Sequence, residues 1–281
     1  MSDLVDLSAR LGAITNLVHG FIYFAPEATE EFDELGLPAS YHYFASRAAA
    51  LGPVPAEVVV ASFFNFNPTL IHDVIPDAWS IADPGVIQTA RMRAAGRVLH
   101  RVEPVITDAE VSEATEIAGA MIAGVADAGH PLAAGNRAVT EPTAPWERLW
   151  QRITVLREWR GDAHVAALVA APVDPIGALA LHAATGKVPR AALVETRRWP
   201  DGLWDAGVQR LVQRGFLNED ESFTELGDAF RAEIEQRTNI AALALVEAVG
   251  PDRAQRLIEL LKPIRRALVN GGAFAALGGD R

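Results

Sequence analysis

The stretch LVQRGFLNEDESFTELGDAF, residues 211–230, decides how the fold is read. Ahead of it, Asp201 to Arg214 carries Leu203, Val208, Leu211 and Val212 at helical spacing, and Gly215 follows where a helix closes in the left-handed conformation. Phe216-Leu217 and Ser222-Phe223 are predicted as two short strands joined by the polar turn Asn218 to Glu221. Thr224 then caps a further helix through Arg237, its hydroxyl placed to accept from the free backbone N–H groups of the first turn.

Helix, hairpin and capped helix in that order is a winged-helix pattern. The stretch resembles the recognition helix, wing and following helix of MarR-like regulators, a resemblance that covers about a quarter of the chain. It implies a helix-turn-helix fold and leaves function open, because one fold hosts many functions. The charge of the segment argues against DNA. From Arg197 through Arg237 six arginines face nine carboxylates, the predicted wing tip is Glu219-Asp220-Glu221, and the recognition helix leads with Asp201 and Asp205. Such a head repels phosphates instead of neutralising them.

The rest of the chain agrees with that sign. Its 281 residues carry a net charge of −11, with pI near 5.1, so nucleic acid is not the expected partner. Half the residues are apolar and 22% are charged, a globular composition. Cysteine is absent, which removes disulfides, thiolate nucleophiles and zinc–thiolate sites together. Met1 to Arg10 holds two aspartates and no basic run, and the longest apolar stretch, Val165 to Ala184, is broken by Pro172, Asp174, Pro175 and His182. A cytoplasmic protein without a membrane span is expected. Arginine greatly outnumbers lysine (Lys187 and Lys262 alone) and alanine is abundant, as in GC-rich bacterial genomes.

Upstream, Leu4, Leu7, Leu11, Ile14, Leu17 and Phe21 predict an amphipathic helix ending near Pro26. Helices are predicted over 41–50, from Pro55 to about Ser62, over 84–101, over 109–126 and over 146–170. The Pro-, Gly- and Asn-containing stretch 129–145 reads as a linker. LGPVPAEVVVASFF (51–64) and AAPVDPIGALALHAA (170–184) share a proline-bounded turn followed by an apolar helix, and Trp79 and Trp199 lie equally far beyond Ala56 and Ile176. ARMRAAGRVL (90–99) and VQRLVQRGFL (208–217) follow at nearly the same offset. The expected fold is mainly α, as tandem winged-helix-like halves with small β-hairpin wings. The expected domains are an N-terminal helical half (1–128), the linker (129–145), a winged-helix domain (146–240) and C-terminal helices (241–281).

YFAPE (23–27), LGPVPAEVV (51–59), FFNFNP (63–68), REWRGDAHVAAL (157–168) and LHAATG (181–186) resemble, as a set, an actinobacterial helix-turn-helix family of uncharacterised proteins of this length. That resemblance spans nearly the whole chain and implies a winged-helix-like fold without an activity.

Chemistry is sought where polar residues interrupt apolar patterns. On a helix, Arg157, Arg160, Gly161 and His164 share one face, while Glu158 and Asp162 share the next. Gly161 in a helix interior costs about 1 kcal/mol relative to Ala, so a close neighbour is expected there. His19, Tyr23 and Glu27 recur at every fourth position of the first helix, up to the break at Pro26. His164 and His19 are the candidate acid–base groups. Arg157, Arg160, Tyr23, Glu158, Asp162, Arg47 and Asn65 are candidate ligand contacts, with Glu158 and Asp162 orienting Arg or His. Asn65 and Asn67 equally fit helix caps. Haem or a metal ion held by His164 or His19 is a minor alternative, since the seven histidines show no ligand spacing. Nucleotide-binding, hydrolase-elbow and metalloprotease motifs are absent.

The expected function is binding of a small organic ligand on a repurposed winged-helix scaffold, in a pocket between the halves, with an enzyme of secondary metabolism as one form of it. The alternative is a MarR-like ligand-responsive transcriptional regulator. A tandem winged-helix DNA-repair enzyme is a third, weaker reading. The basic, amphipathic segment 251–269 is compatible with a homodimer.

Overall fold

The computed structural model describes residues 2–102 and 106–274. The chain passes back and forth between two compact units. It opens in the first with α1 (Ser2–Gly20), α2 (Pro26–Glu34) and α3 (His42–Ala48). It then gives α4 (Ala56–Phe63) and α5 (Pro68–His72) to the second unit. Next come α6 (Asp77–Ile81), α7 (Pro84–Val102), α8 (Asp108–Ala123) and α9 (Pro131–Ala138), again in the first. α10 (Pro145–Ala170) belongs to the first unit up to Asp162 and to the second from Ala163. α11 (Pro175–Ala184), α12 (Arg190–Arg197), α13 (Asp201–Gln213) and α14 (Glu225–Ala241) complete the second unit through Thr238, before α15 (Leu243–Glu247) and α16 (Pro251–Asn270) rejoin the first.

In the first unit the stripe Leu7, Leu11, Ile14 and Val18 of α1 is buried, as is Leu257, Leu261, Ile264 and Leu268 of α16, and the two helices pack on each other. α2 packs on α7 beneath an ionic seam: Glu31 meets Arg93 at 2.8 Å and also Arg97, while Glu27 meets Arg101. α8 starts at a capping box formed by Thr107 and Glu110. α9 lies inside the stretch expected to be a linker. Pro131 fits its first turn, and the Asp162 carboxylate of α10 accepts the Ala133 N–H at 3.0 Å, a cap supplied from 29 residues away and therefore invisible to local pattern.

Gly161 does not have the close neighbour expected of it. A Cβ there would stand 3.5 Å from Glu158 Oε2, an ordinary contact, and α10 runs through it unbroken. A close approach is made instead at Gly12 on α1, where a Cβ would overlap the Arg160 side chain lying across it.

The second unit contains the helix-turn-helix. α12 ends at Arg198, which takes the left-handed conformation at φ 50°, and α13 starts three residues later at Asp201. Trp204 of α13 is fully buried with Ile176, Leu179, Leu193, Val208 and Leu211. Gly207 lets α13 settle on Ile176 of α11, since a Cβ there would overlap the Ile176 side chain. Thr224 caps α14 as expected, accepting from Gly227 N–H at 3.0 Å.

The mainly helical character holds, but tandem winged-helix-like halves with β-hairpin wings are overturned. Among the described residues there is no strand, and the expected wing at 216–223 is a single antiparallel bridge between Leu217 and Phe223. The chain leaves no room for a ladder. Gly215 is still closing α13, Thr224 already donates to Gly215 O at 2.6 Å, and Glu221 at φ 64° completes a tight turn closed by Asn218 N–H to Ser222 O.

Among the described residues no single helix is long and apolar enough to cross a membrane. The apolar run Val165 to Ala184 is split between α10 and α11, which bend by 105° from one to the other.

Candidate functional site

The first unit buries a polar cluster built from four helices. His19 ends the apolar stripe of α1 and is fully buried. The 3-10 turn Phe21–Tyr23 then tightens the chain so that Tyr23 returns to the same side, its hydroxyl 3.0 Å from His19 Nε2. α3 contributes Tyr43 and Arg47 one turn apart. α7 contributes Arg91, and α10 contributes Trp150, Thr154 and Glu158 at four-residue steps along its buried face.

Donor and acceptor bookkeeping fixes the protons in this cluster. The Thr154 hydroxyl lies 2.9 Å from the Trp150 carbonyl, which can only accept, so the hydroxyl proton points there. His19 Nδ1, 3.0 Å from Thr154 Oγ1, must therefore carry a proton and donate it. Nε2 is left as an acceptor for the Tyr23 O–H, and the Tyr23 oxygen accepts from Arg91 Nη2 at 3.2 Å. The imidazole is neutral: burial, then Arg157 and Arg91, hold it well below the usual histidine range. Its ring stacks parallel to Trp150, and both nitrogens are engaged. Burial likewise pushes the Tyr23 phenol up, against the opposing pull of Arg91 and Arg47. Both shifts oppose transfer of the Tyr23 proton to His19, so the pair holds its protons in place.

Beside this chain lies a buried ion pair. Arg47 grips Glu158 with two parallel bonds of 3.0 and 2.9 Å, and Arg157 reaches the same carboxylate at 2.7 Å. Burial works to protonate Glu158, but Arg157 and Arg47 outweigh it and hold the acid far below the ordinary carboxylate range. Arg47 and Arg157 thus share one carboxylate, while the nearby Arg91 donates to the Tyr23 hydroxyl and not to that acid. Arg91 is the least satisfied of the three. It is fully buried over the Trp150 ring at 5.1 Å and the Tyr23 ring at 5.8 Å, and its Nε and Nη1 have no hydrogen-bond partner.

Of the residues expected at the site, His19, Tyr23, Arg47, Arg157 and Glu158 come together. On α10, Glu158 and Asp162 are buried, while Arg157 and Arg160 are partly exposed. Arg160 binds Asn239 Oδ1 at 2.9 Å, and Asp162 caps α9, where burial pushes its acid up to about 7. His164 belongs to the second unit and bonds Thr238 at 2.9 Å, and the Asn65 carbonyl there accepts from the Trp199 indole N–H at 3.0 Å. Glu27 leaves the His19–Tyr23 stripe for Arg101 because Pro26 starts a new helix. Asn67, by contrast, caps α5 through Thr69 N–H. Among the described residues no group of three His, Asp or Glu side chains comes together as a metal site.

Sequence reasoning missed Arg91, Trp150, Thr154 and Tyr43. A signal for Arg91 was present: it stands in the apolar register Ile87, Arg91, Ala94 and Val98, where an arginine is out of place.

On the helix-turn-helix, Arg190 of α12 lies 5.3 Å from the Trp204 ring and is claimed by two carboxylates, Asp205 of α13 at 3.1 Å and Glu221 of the turn at 3.2 Å. Arg210 of α13 is likewise bound to Asp174. Arg190 and Arg210 of the would-be reading surface are thus already paired with the chain's own acids.

The fold and this surface define a helical protein with a helix-turn-helix and a buried arginine-rich core. The family model of a helix-turn-helix family matches residues 8–275, and the chain belongs to that family. No curated protein and no solved structure matches it.

Proposed function

We propose that this member of the helix-turn-helix family binds a small organic acid through the buried arginine cluster of its first unit. Arg91 carries the proposal. An arginine cannot shed its charge, and leaving buried donors without acceptors costs about 1–3 kcal/mol, so such a residue is expected where a ligand supplies the missing acceptors. A carboxylate or phosphate would accept from Nε and Nη1 side by side. Trp150 and Tyr23 would provide flat walls, and the Tyr23 hydroxyl a further polar contact. Benzoate and inorganic phosphate are suitable probes, with melting temperature and native mass as readouts. A stabilising shift and a mass increment from either anion, both lost in Arg91→Met, are the expected result. No shift from either anion, or one that Arg91→Met retains, overturns the proposal.

The second reading is a DNA-binding transcriptional regulator, favoured by the family and by the order α12, turn, α13. The acidic partners of Arg190 and Arg210 weigh against it, because a phosphate would have to displace them. A salt-dependent gel shift with duplex DNA would favour this second reading.

A further inference from the structure

α16 is used up on one side and open on the other. Its inner stripe, Leu257, Leu261, Ile264 and Leu268, is buried. Its first two arginines are spent on α8, Arg253 on Glu116 at 2.9 Å and Arg256 on Glu113 at 2.7 Å. The far half of the helix presents Lys262, Arg265, Arg266 and Val269 along its outer face, at offsets of three, four and seven residues. The three cations are exposed and make no ion pair among the described residues. Val269, between them on the helix, is 53% exposed.

The second unit carries a face of the opposite sign. On the outer side of α13, Asp201, Asp205 and Gln209 recur at four-residue steps, beside the exposed Gly202 and Ala206 and with Leu203 51% exposed at the edge. The turn 218–221 is joined to that side: the Gln209 amide reaches Glu219 at 3.4 Å, and Arg190 bridges Asp205 and Glu221. Arg190 is the single cation for these acids. Asp201 has no ion pair among the described residues, and Glu219 and Asp220 are bonded only by the neutral donors Gln209 and Ser222. Gly202 and Ala206 keep the middle of the face low, so a second helix can come close.

We propose that the basic outer face of α16 in one copy of the chain seats on the acidic outer face of α13 in a second copy. Lys262, Arg265 and Arg266 meet Asp201, Glu219 and Asp220, and Val269 meets Leu203. Duplex DNA or an anionic membrane would answer the basic face alone, whereas a second copy answers both. The net charge of −11 on each copy is screened beyond about 8 Å at physiological salt, so the charges in contact decide.

Sedimentation of the full chain over a concentration series tests this. The wild-type mass is expected to rise above 30.1 kDa with concentration at physiological salt and to fall back at high salt. Arg265→Glu with Arg266→Glu makes both faces acidic, and Glu219→Arg with Asp220→Arg makes the turn basic like α16. Each pair alone is expected to weaken association by about tenfold or more. Mixed together, the two variants again present opposite faces and are expected to associate with each other. Circular dichroism checks that both keep their helices. Should either lose them, the milder pairs Arg265→Gln with Arg266→Gln and Glu219→Gln with Asp220→Gln decide, each expected to weaken association. A wild-type mass of 30.1 kDa at every concentration overturns the proposal, including when the same protein shifts duplex DNA through Arg265 and Arg266. Association untouched by the substitutions overturns it too, as does a mixture of folded reversed variants that stays apart.

Discussion

Arg91 lies over the indole of Trp150, 5.1 Å from the ring centroid, while Arg47 on α3 is clamped in two parallel bonds to Glu158. Two buried arginines of one core therefore stand at opposite ends of satisfaction, and their removal has opposite consequences. Arg91→Met keeps the volume and discards a buried charge supported only by ring faces and one phenol. Replacing poorly compensated buried charges by apolar groups is often neutral or stabilising, and a gain of about 1 kcal/mol is expected in denaturant unfolding without ligand. Arg47→Met strips Glu158 of its bidentate partner and is expected to lose about 3 kcal/mol. A loss for Arg91→Met as large as that for Arg47→Met would contradict this division.

His19 makes the fold sensitive to acid. Its folded-state affinity for protons lies well below that of the unfolded chain, so below about pH 6.5 the unfolded state binds a proton that the folded state refuses. The stability His19 provides is complete above that pH and is lost as the pH falls. His19→Gln is expected to unfold at a lower temperature than the wild type at pH 7.5, with the gap narrowing at pH 5. Melting curves at the two pH values decide it, and a constant gap would mean that His19 does not titrate on unfolding.

Asp162 acts in the other direction. Burial pushes its acid up to about 7, so between about pH 4 and 7 the folded state holds a proton that the unfolded state has released. Its contribution is present at low pH and disappears as the pH rises through 7. Asp162→Asn stays neutral throughout and can still accept the Ala133 N–H. It is therefore expected to gain on the wild type between pH 5 and pH 8 in the same melting assay.

Gly161 of α10 and Gly12 of α1 separate propensity from packing. Gly161→Ala adds a methyl group at ordinary contact distance and is expected to stabilise α10 by roughly 1 kcal/mol. Gly12→Ala adds one into the Arg160 side chain and is expected to destabilise in spite of the better helix former. Urea unfolding of both variants checks the pair, and a gain for Gly12→Ala would show that Arg160 moves aside freely.

Much of the helical frame is legible in the residues. The apolar stripes of α1 and α13, the Thr224 cap and the breaks at Pro26 and Pro68 follow from local spacing and turn chemistry. His19 and Tyr23 were found together because one helical turn relates them. Arg47 and Glu158 are 111 residues apart, and nothing local pairs an arginine of one helix with a glutamate of another. The burial of Glu158 and Asp162 is hidden for the same reason, because one is neutralised by and the other caps a partner distant in sequence. The hairpin was overcalled because strand-like residues at 216–217 and 222–223 are too few once Gly215 and Thr224 serve the helices on either side.

The chain leaves the first unit after Val54, returns at Val74, leaves again after Asp162 and comes home at Asn239. A ribosome making it from the N-terminus at about 5–20 residues per second releases Pro55–Asp73 many seconds before residues 163–238 exist to receive it. Meanwhile α1 waits for its packing partner α16 at Pro251–Asn270. The first unit cannot finish until the residues after Thr238 are made, and no single cut separates one whole unit from the other. Fragments that stop short of α16 will therefore expose the apolar stripe of α1 that α16 covers.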